Sequence, residues 1–192
     1  MGGTPLNLIK ERNLYLMTLK EIYTALANRM VGAIMIHSQL VQIFAFVDLL
    51  PDMRKQESQL QEETYGYSEL NKYYIQHHHN ILIADNPPQI DILNLGLLKK
   101  SSEELTPEDK TYLIKYGMKE WIEWERKSKV IYEDSYRELL DISEVASADF
   151  VSRFVRDVDL ELKEAEKIFR VREGIDWDLS AIYDKQAMVN KR

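Results

Sequence analysis

The chain of 192 residues contains no cysteine. That absence excludes a disulfide framework, a thiolate metal site and a cysteine nucleophile. Glycine and proline are scarce, at 7 and 5 residues, which argues against an all-β design punctuated by turns. Histidine occurs four times, always before residue 80, so the second half of the chain has no imidazole to offer. A basic patch is also lacking: the net charge is −7, and its surplus is spread along the chain. A phosphate-driven grip on nucleic acid is thereby excluded, and an acidic partner or substrate is disfavoured. No glycine-rich phosphate loop, Gly-x-Ser-x-Gly elbow or His-Glu-x-x-His run is present. Uninterrupted apolar runs are missing too. The most apolar stretch, Met30 to Leu50, is broken by His37, Ser38, Gln39, Gln42 and Asp48, more polar groups than a membrane span tolerates. The start "MGGTPLNLIKERN" lacks the basic, apolar and small-residue order of a secretory signal. The expectation is a cytoplasmic protein that meets no membrane.

What is present is a globular balance, 45% hydrophobic and 30% charged, in a length that suits one domain over 1–192. Periodicity of three and four predicts long helices over about 6–49, 52–82, 107–140 and 144–173, with a short tail helix near 178–188. The first carries Leu19, Ile22, Leu26, Met30, Ala33, Leu40, Phe44 and Val47 on one face. The second has a more polar stripe through Met53, Glu57, Leu60, Thr64, Tyr67, Asn71, Tyr74, His78 and Ile81. Gly32 either bends the first helix or lets a neighbour close. Pro51 marks the break between the two. Thr106 with Pro107 opens the third helix, Ser143 is the expected cap of the fourth, and Gly174 its stop. Between residues 84 and 104 the periodicity ends, with paired prolines and a short apolar alternation. A structureless connection of that length needs a reason, and returning the chain along a bundle's full length supplies one. The predicted fold is therefore all-α, a ferritin-like four-helix bundle with a long crossover between helices 2 and 3.

Three phrases, "QESQLQEET", "NKYYIQHHHN" and "KYGMKEWIEWERKSKVIYEDSYREL", resemble a group of uncharacterised phage- and mobile-element-associated proteins of Gram-positive bacteria. That group is itself similar to ferritin-like bundles. The resemblance spans roughly residues 37–166. It implies the bundle and a mobile-element origin, and it implies no activity.

A ferritin-like di-iron centre takes one Glu from each of two helices and Glu-x-x-His from each of the others. That motif is absent, since Ile34, Tyr74, Ile75 and Gln76 stand three residues before the histidines. A non-standard site survives. With the first turn centred near Leu50, His37 lies level with Glu63. With the second centred near Ile142, Glu125 lies level with Asp159, and Glu123 with Glu161. Iron or another divalent metal held by His37, Glu63, Glu123, Glu125, Asp159 and Glu161 is one expectation; the plainer one is that these groups hydrogen-bond and fix helix register. No catalytic residue and no organic cofactor site is assigned.

His77, His78 and His79 point about 100° apart on a helix and cannot converge on one ion. They read as a helix end, where the dipole favours imidazolium. Trp121 and Trp124, one turn apart, read as core for one ring and a partner contact for the other. The leading functional expectation is a non-enzymatic cytoplasmic interaction protein that pairs with a protein partner or with itself as a homodimer. The alternative is an atypical metal-binding, oxidase or storage protein. An apolar bundle centre favours the first, and inward carboxylates near His37 favour the second.

Overall fold

The structure, a computed structural model, describes residues 17–189, with side chains as far as residue 184. Among the described residues there are five α-helices, two short 3₁₀ turns and no strand. Helix α1 spans Leu19–Phe46. It opens on a reciprocal cap: the Thr18 hydroxyl accepts from the Glu21 N–H at 3.3 Å, and the Glu21 carboxylate accepts from the Thr18 N–H at 2.7 Å. Thr18 itself is extended (φ −70, ψ 154), so no helix runs through it from Leu6 as the periodicity predicts. Residues 6–16 of that expectation lie outside the described residues.

Helix α2 spans Leu50–His78. Pro51 sits in its opening turn, where a missing N–H costs nothing, rather than ahead of the helix. The helix stops at His78 instead of continuing to residue 82, because His79 turns left-handed (φ 51) and its N–H closes on the Ile75 carbonyl. Helix α3 spans Pro107–Asp141 behind a second reciprocal cap, Thr106 with Asp109. Helix α4 spans Val145–Glu173. Ser143 does not cap it; that residue is itself left-handed in the turn (φ 65), and Glu144 precedes the helix with no side-chain bond. Helix α5 spans Leu179–Val189. The Tyr183 hydroxyl ties it back by donating to the Val47 carbonyl at 2.5 Å.

The long helices pair by side chain. His37 of α1 meets Gln56 of α2, and Arg29 of α1 meets Ser128 of α3. Arg126 and Lys129 of α3 meet Glu166 and Asp159 of α4. Helices α2 and α4 close the set through a two-pronged Arg172–Asp52 pair at 2.8 and 2.7 Å, Lys55–Glu164 at 2.6 Å, and stacked Tyr73 and Phe150. The connecting segment lies against α1. Asn28 bonds Asp85 and Asn86, and the Gln39 amide clamps the backbone of Ile90 and Ile92; beyond it, Lys110 in the first turns of α3 stands 3.8 Å from Asp48 in the α1–α2 turn.

Two apolar clusters fill the interior. One gathers Ile22, Tyr23, Leu26, Met30, Leu70 and Val151; the other gathers Ile36, Leu40, Phe44, Leu113, Trp121 and Trp177. Both tryptophans of the α3 pair are buried, so neither is free for a partner. The indole of Trp124 lies on Gly32, whose Cβ, were it present, would be 2.5 Å from the ring. Close approach is thus the reason for glycine there. The α2 stripe also differs from expectation. Glu57 and Thr64 are exposed, and Asp52, Gln56, Gln59, Leu70 and Tyr74 are the buried set. An apolar pattern cannot locate a face whose buried members are polar. Helix α1 is long and apolar enough to cross a membrane by length and composition, and 50% of its most apolar window is buried inside the fold.

Candidate functional site

Between the two apolar clusters each long helix contributes a charged or polar side chain. His37 of α1 is fully buried and Glu125 of α3 is 1% exposed. The His37 Nδ1–H donates to Gln56 Oε1 at 2.7 Å, because an amide oxygen can only accept. That bond leaves Nε2 as the ring's second polar atom, buried and with no hydrogen-bond partner. It faces Glu125 Oε1 at 3.5 Å. The Trp121 indole N–H donates to the same oxygen at 3.1 Å from one turn away, and so fixes the carboxylate. An unprotonated Nε2 and a carboxylate oxygen are both acceptors, so a proton or a metal cation must lie between them to make the contact favourable. Burial pushes the His37 pKa down, but the Glu125 carboxylate facing Nε2, the charge of Glu63 and the bond to Gln56 outweigh it and hold it above its usual value.

Glu63 of α2 and Glu161 of α4 stand on the side away from α1, both partly buried. Burial raises the Glu63 pKa to about 7, opposed by His37 and Arg29 and reinforced by Glu125. Burial also raises Glu161, to about 9, with Glu125, Glu63 and Glu62 adding to the shift. Glu63 and Glu161 line a cleft of about 460 Å³ between α2 and α4 that opens past Glu62, Tyr65, Arg153 and Asp157, with Tyr132 on its wall.

Of the six residues singled out from the sequence, the structure brings His37 and Glu125 face to face at 3.5 Å and puts Glu63 and Glu161 on one cleft beside them, one residue from each long helix. It does not bring the other two. Glu123 faces solvent and pairs with Lys127 at 3.3 Å. Asp159 is held on the outer α3–α4 seam by Lys129 at 2.5 Å and by Lys163. The cause is the second turn, which centres on Ser143 rather than Ile142. A one-residue shift of that centre places Glu125 level with Glu161 and turns Asp159 outward.

Sequence reasoning overlooked Arg29, Gln56 and the Trp121–Glu125 bond. Arg29 had a visible signal, being the only Lys, Arg, Asp or Glu between Glu21 and Asp48. The three histidines at the end of α2 fall apart from this site. His77 stacks on Tyr73 at 4.2 Å, and His78 packs against Tyr23 and Tyr74.

Among the described residues, no three His, Asp or Glu side chains already stand close enough together to hold a metal ion. Compared with protein-family models, curated proteins and solved structures, the chain matches none.

Proposed function

We propose that this chain is a four-helix protein that binds a divalent cation at its mid-section, through His37, Glu63, Glu125 and Glu161. The observation that carries the proposal is the His37–Glu125 pair. Two ligand-type atoms face each other across 3.5 Å in the buried interior, one of them without a hydrogen-bond partner. Two donors each about 2.1 Å from one ion, in tetrahedral geometry, are about 3.4 Å apart. Gln56 and Trp121 act as the outer partners that set the ring tautomer and the carboxylate rotamer. Burial holds Glu63 and Glu161 toward their protonated forms; a cation would take the place of those protons as the partner of their carboxylates. Three carboxylates with one imidazole suit the harder divalent ions, Mn(II) and Fe(II), better than thiolate-seeking metals.

A charged centre is what separates this reading from that of a mobile-element interaction protein, which calls for an apolar one. The order of contacts along α1, Asn28 with residues 85 and 86 and then Gln39 with residues 90 and 92, also supports a ferritin-like connection between α2 and α3, without that family's Glu-x-x-His ligands.

The test is metal content and Mn(II) or Fe(II) titration of protein prepared without chelator. Binding is expected in wild type and lost at least tenfold in His37→Ala and Glu125→Gln. Glu123→Gln and Asp159→Asn lie on the outer surface and are expected to bind as wild type. Equal affinity in all five proteins, or none in wild type, would sink the proposal.

A further inference from the structure

A second cleft between α2 and α4 lies away from the mid-section. The buried Asp52–Arg172 pair forms part of its wall, about three helical turns from Glu63 on α2 and from Glu161 on α4, or roughly 16 Å along either helix. It encloses about 430 Å³ between the opening turns of α2, the last turns of α4 and the first turns of α5. That volume is in the range of small-molecule sites.

The cleft is charged at one end and apolar at the other. Along α4, Glu164 and Lys167 come first, then Ile168, Val171 and Ile175. Lys55 of α2 stands at the charged end and bonds Glu164 at 2.6 Å, while Pro51 and Ile182 close the apolar end. Both acids of the cleft already have partners. Arg172 Nη2 takes the two Asp52 oxygens at 2.8 and 2.7 Å, and Lys55 takes Glu164. Arg172 Nη1 is left buried with no acceptor, and among the described residues Lys167 has no carboxylate at ion-pair distance. Three cations and two acids therefore line this cleft, a local positive surplus in a chain whose net charge is −7. Residues 185–192 contain no Asp or Glu that could cancel it.

We propose that this cleft binds a free single-chain aliphatic carboxylic acid, with its carboxylate at Lys167 and Lys55 and its tail among Ile168, Ile175 and Ile182. One anionic head and one apolar tail match the polarity of the cleft from end to end. Lys167 is exposed and keeps its ammonium donors for the head. Val171, 47% exposed, stands at the mouth one turn beyond Lys167. None of these residues is a proposed cation ligand, so this site stands or falls apart from the cation-binding reading.

Calorimetric titration with decanoate, below the concentration at which it forms micelles, tests the proposal. Wild type is expected to bind decanoate, and to bind octanoate about tenfold more weakly, since each CH₂ kept from water is worth about a factor of four. Lys167→Gln is expected to weaken binding about two- to fivefold, the effect of one exposed charge pair. Val171→Glu sets a carboxylate at the mouth and is expected to weaken it at least about tenfold by close like-charge repulsion. Val130→Glu, on an exposed valine of α3 that does not line the cleft, is expected to bind as wild type. Both valines are exposed, so neither change removes a core contact. Equal affinity for octanoate and decanoate, wild-type binding by Val171→Glu, or equal loss in both valine variants would overturn the proposal. A wild type that binds no decanoate overturns it too: sedimentation with phosphatidylglycerol vesicles then gives the cleft to a membrane surface, and a dimer that Val171→Glu dissociates gives it to a second copy of the chain.

Discussion

At the scale of single residues, positions that break local rules mark where the fold is under constraint. Gly32 sits mid-helix, where alanine would gain about 1 kcal/mol of helix propensity. A methyl group there meets the buried Trp124 ring at 2.5 Å and Pro88 at 3.2 Å. The Arg29 guanidinium also lies over that ring, so the ring has little freedom to yield, and overpacking of this kind costs about 1–3 kcal/mol. Gly32→Ala is therefore expected to destabilise the protein by about 1–2 kcal/mol in urea unfolding, despite the better helix former. Gly96→Ala has nothing within 4 Å and is expected to lie within about 0.5 kcal/mol of wild type. The apolar stripe of α1 was legible before the structure because most of its buried members are apolar. His37 was legible because it stands on the α1 stripe. Gln56 and Gln59 were not, since a buried amide and an exposed one look alike in a hydropathy pattern.

At the scale of elements, the α2–α4 seam carries the pH response. In the unfolded chain the Glu63 and Glu161 carboxyls titrate near 4.5, whereas in the fold they titrate at about 7 and about 9. Below pH 4.5 both states hold both protons and the fold bears no penalty. As the pH rises, the unfolded chain releases its protons first, so stability falls from about pH 4.5 through 7 for Glu63 and onward to 9 for Glu161. With chelator present, the melting temperature is expected to drop between pH 5 and 9. Glu161→Gln is expected to flatten the upper part of that slope and to melt higher than wild type at pH 9. A wild-type curve that rises over this range would show that the two side chains reach water. The same seam shows why half the site escaped prediction. Apart from the start of the first helix, which begins at Leu19 rather than near residue 6, helix ends and turn positions could be read to within a few residues, but the face presented by α4 depends on a single residue in the Asp141–Glu144 turn. Only the left-handed Ser143 (φ 65) fixes that phase.

At the scale of the whole molecule, the polar layer is the seam between two apolar clusters, one centred on Leu26 and Leu70, the other on Phe44 and Leu113. The four proposed ligands come one from each long helix. A cation there would tie together elements that otherwise meet through separate pairs: α1 with α2, α1 with α3, and α3 with α4. Binding to the folded state alone stabilises by about 2.7 kcal/mol at a ligand concentration a hundred times Kd. For a chain of this length each kcal/mol moves the melting temperature by about 2–4 °C. Saturating Mn(II) is thus expected to raise the wild-type melting temperature by about 5–10 °C at pH 7, and chelator to reverse the rise. His37→Ala removes the only imidazole in the layer and is expected to show no rise. Glu123→Gln, altered on the same helix as Glu125 but facing solvent, is expected to show the full rise. That contrast separates a cation held inside the four helices from one loosely attracted to an acidic surface, because surface attraction would respond to Glu123 at least as much as to His37.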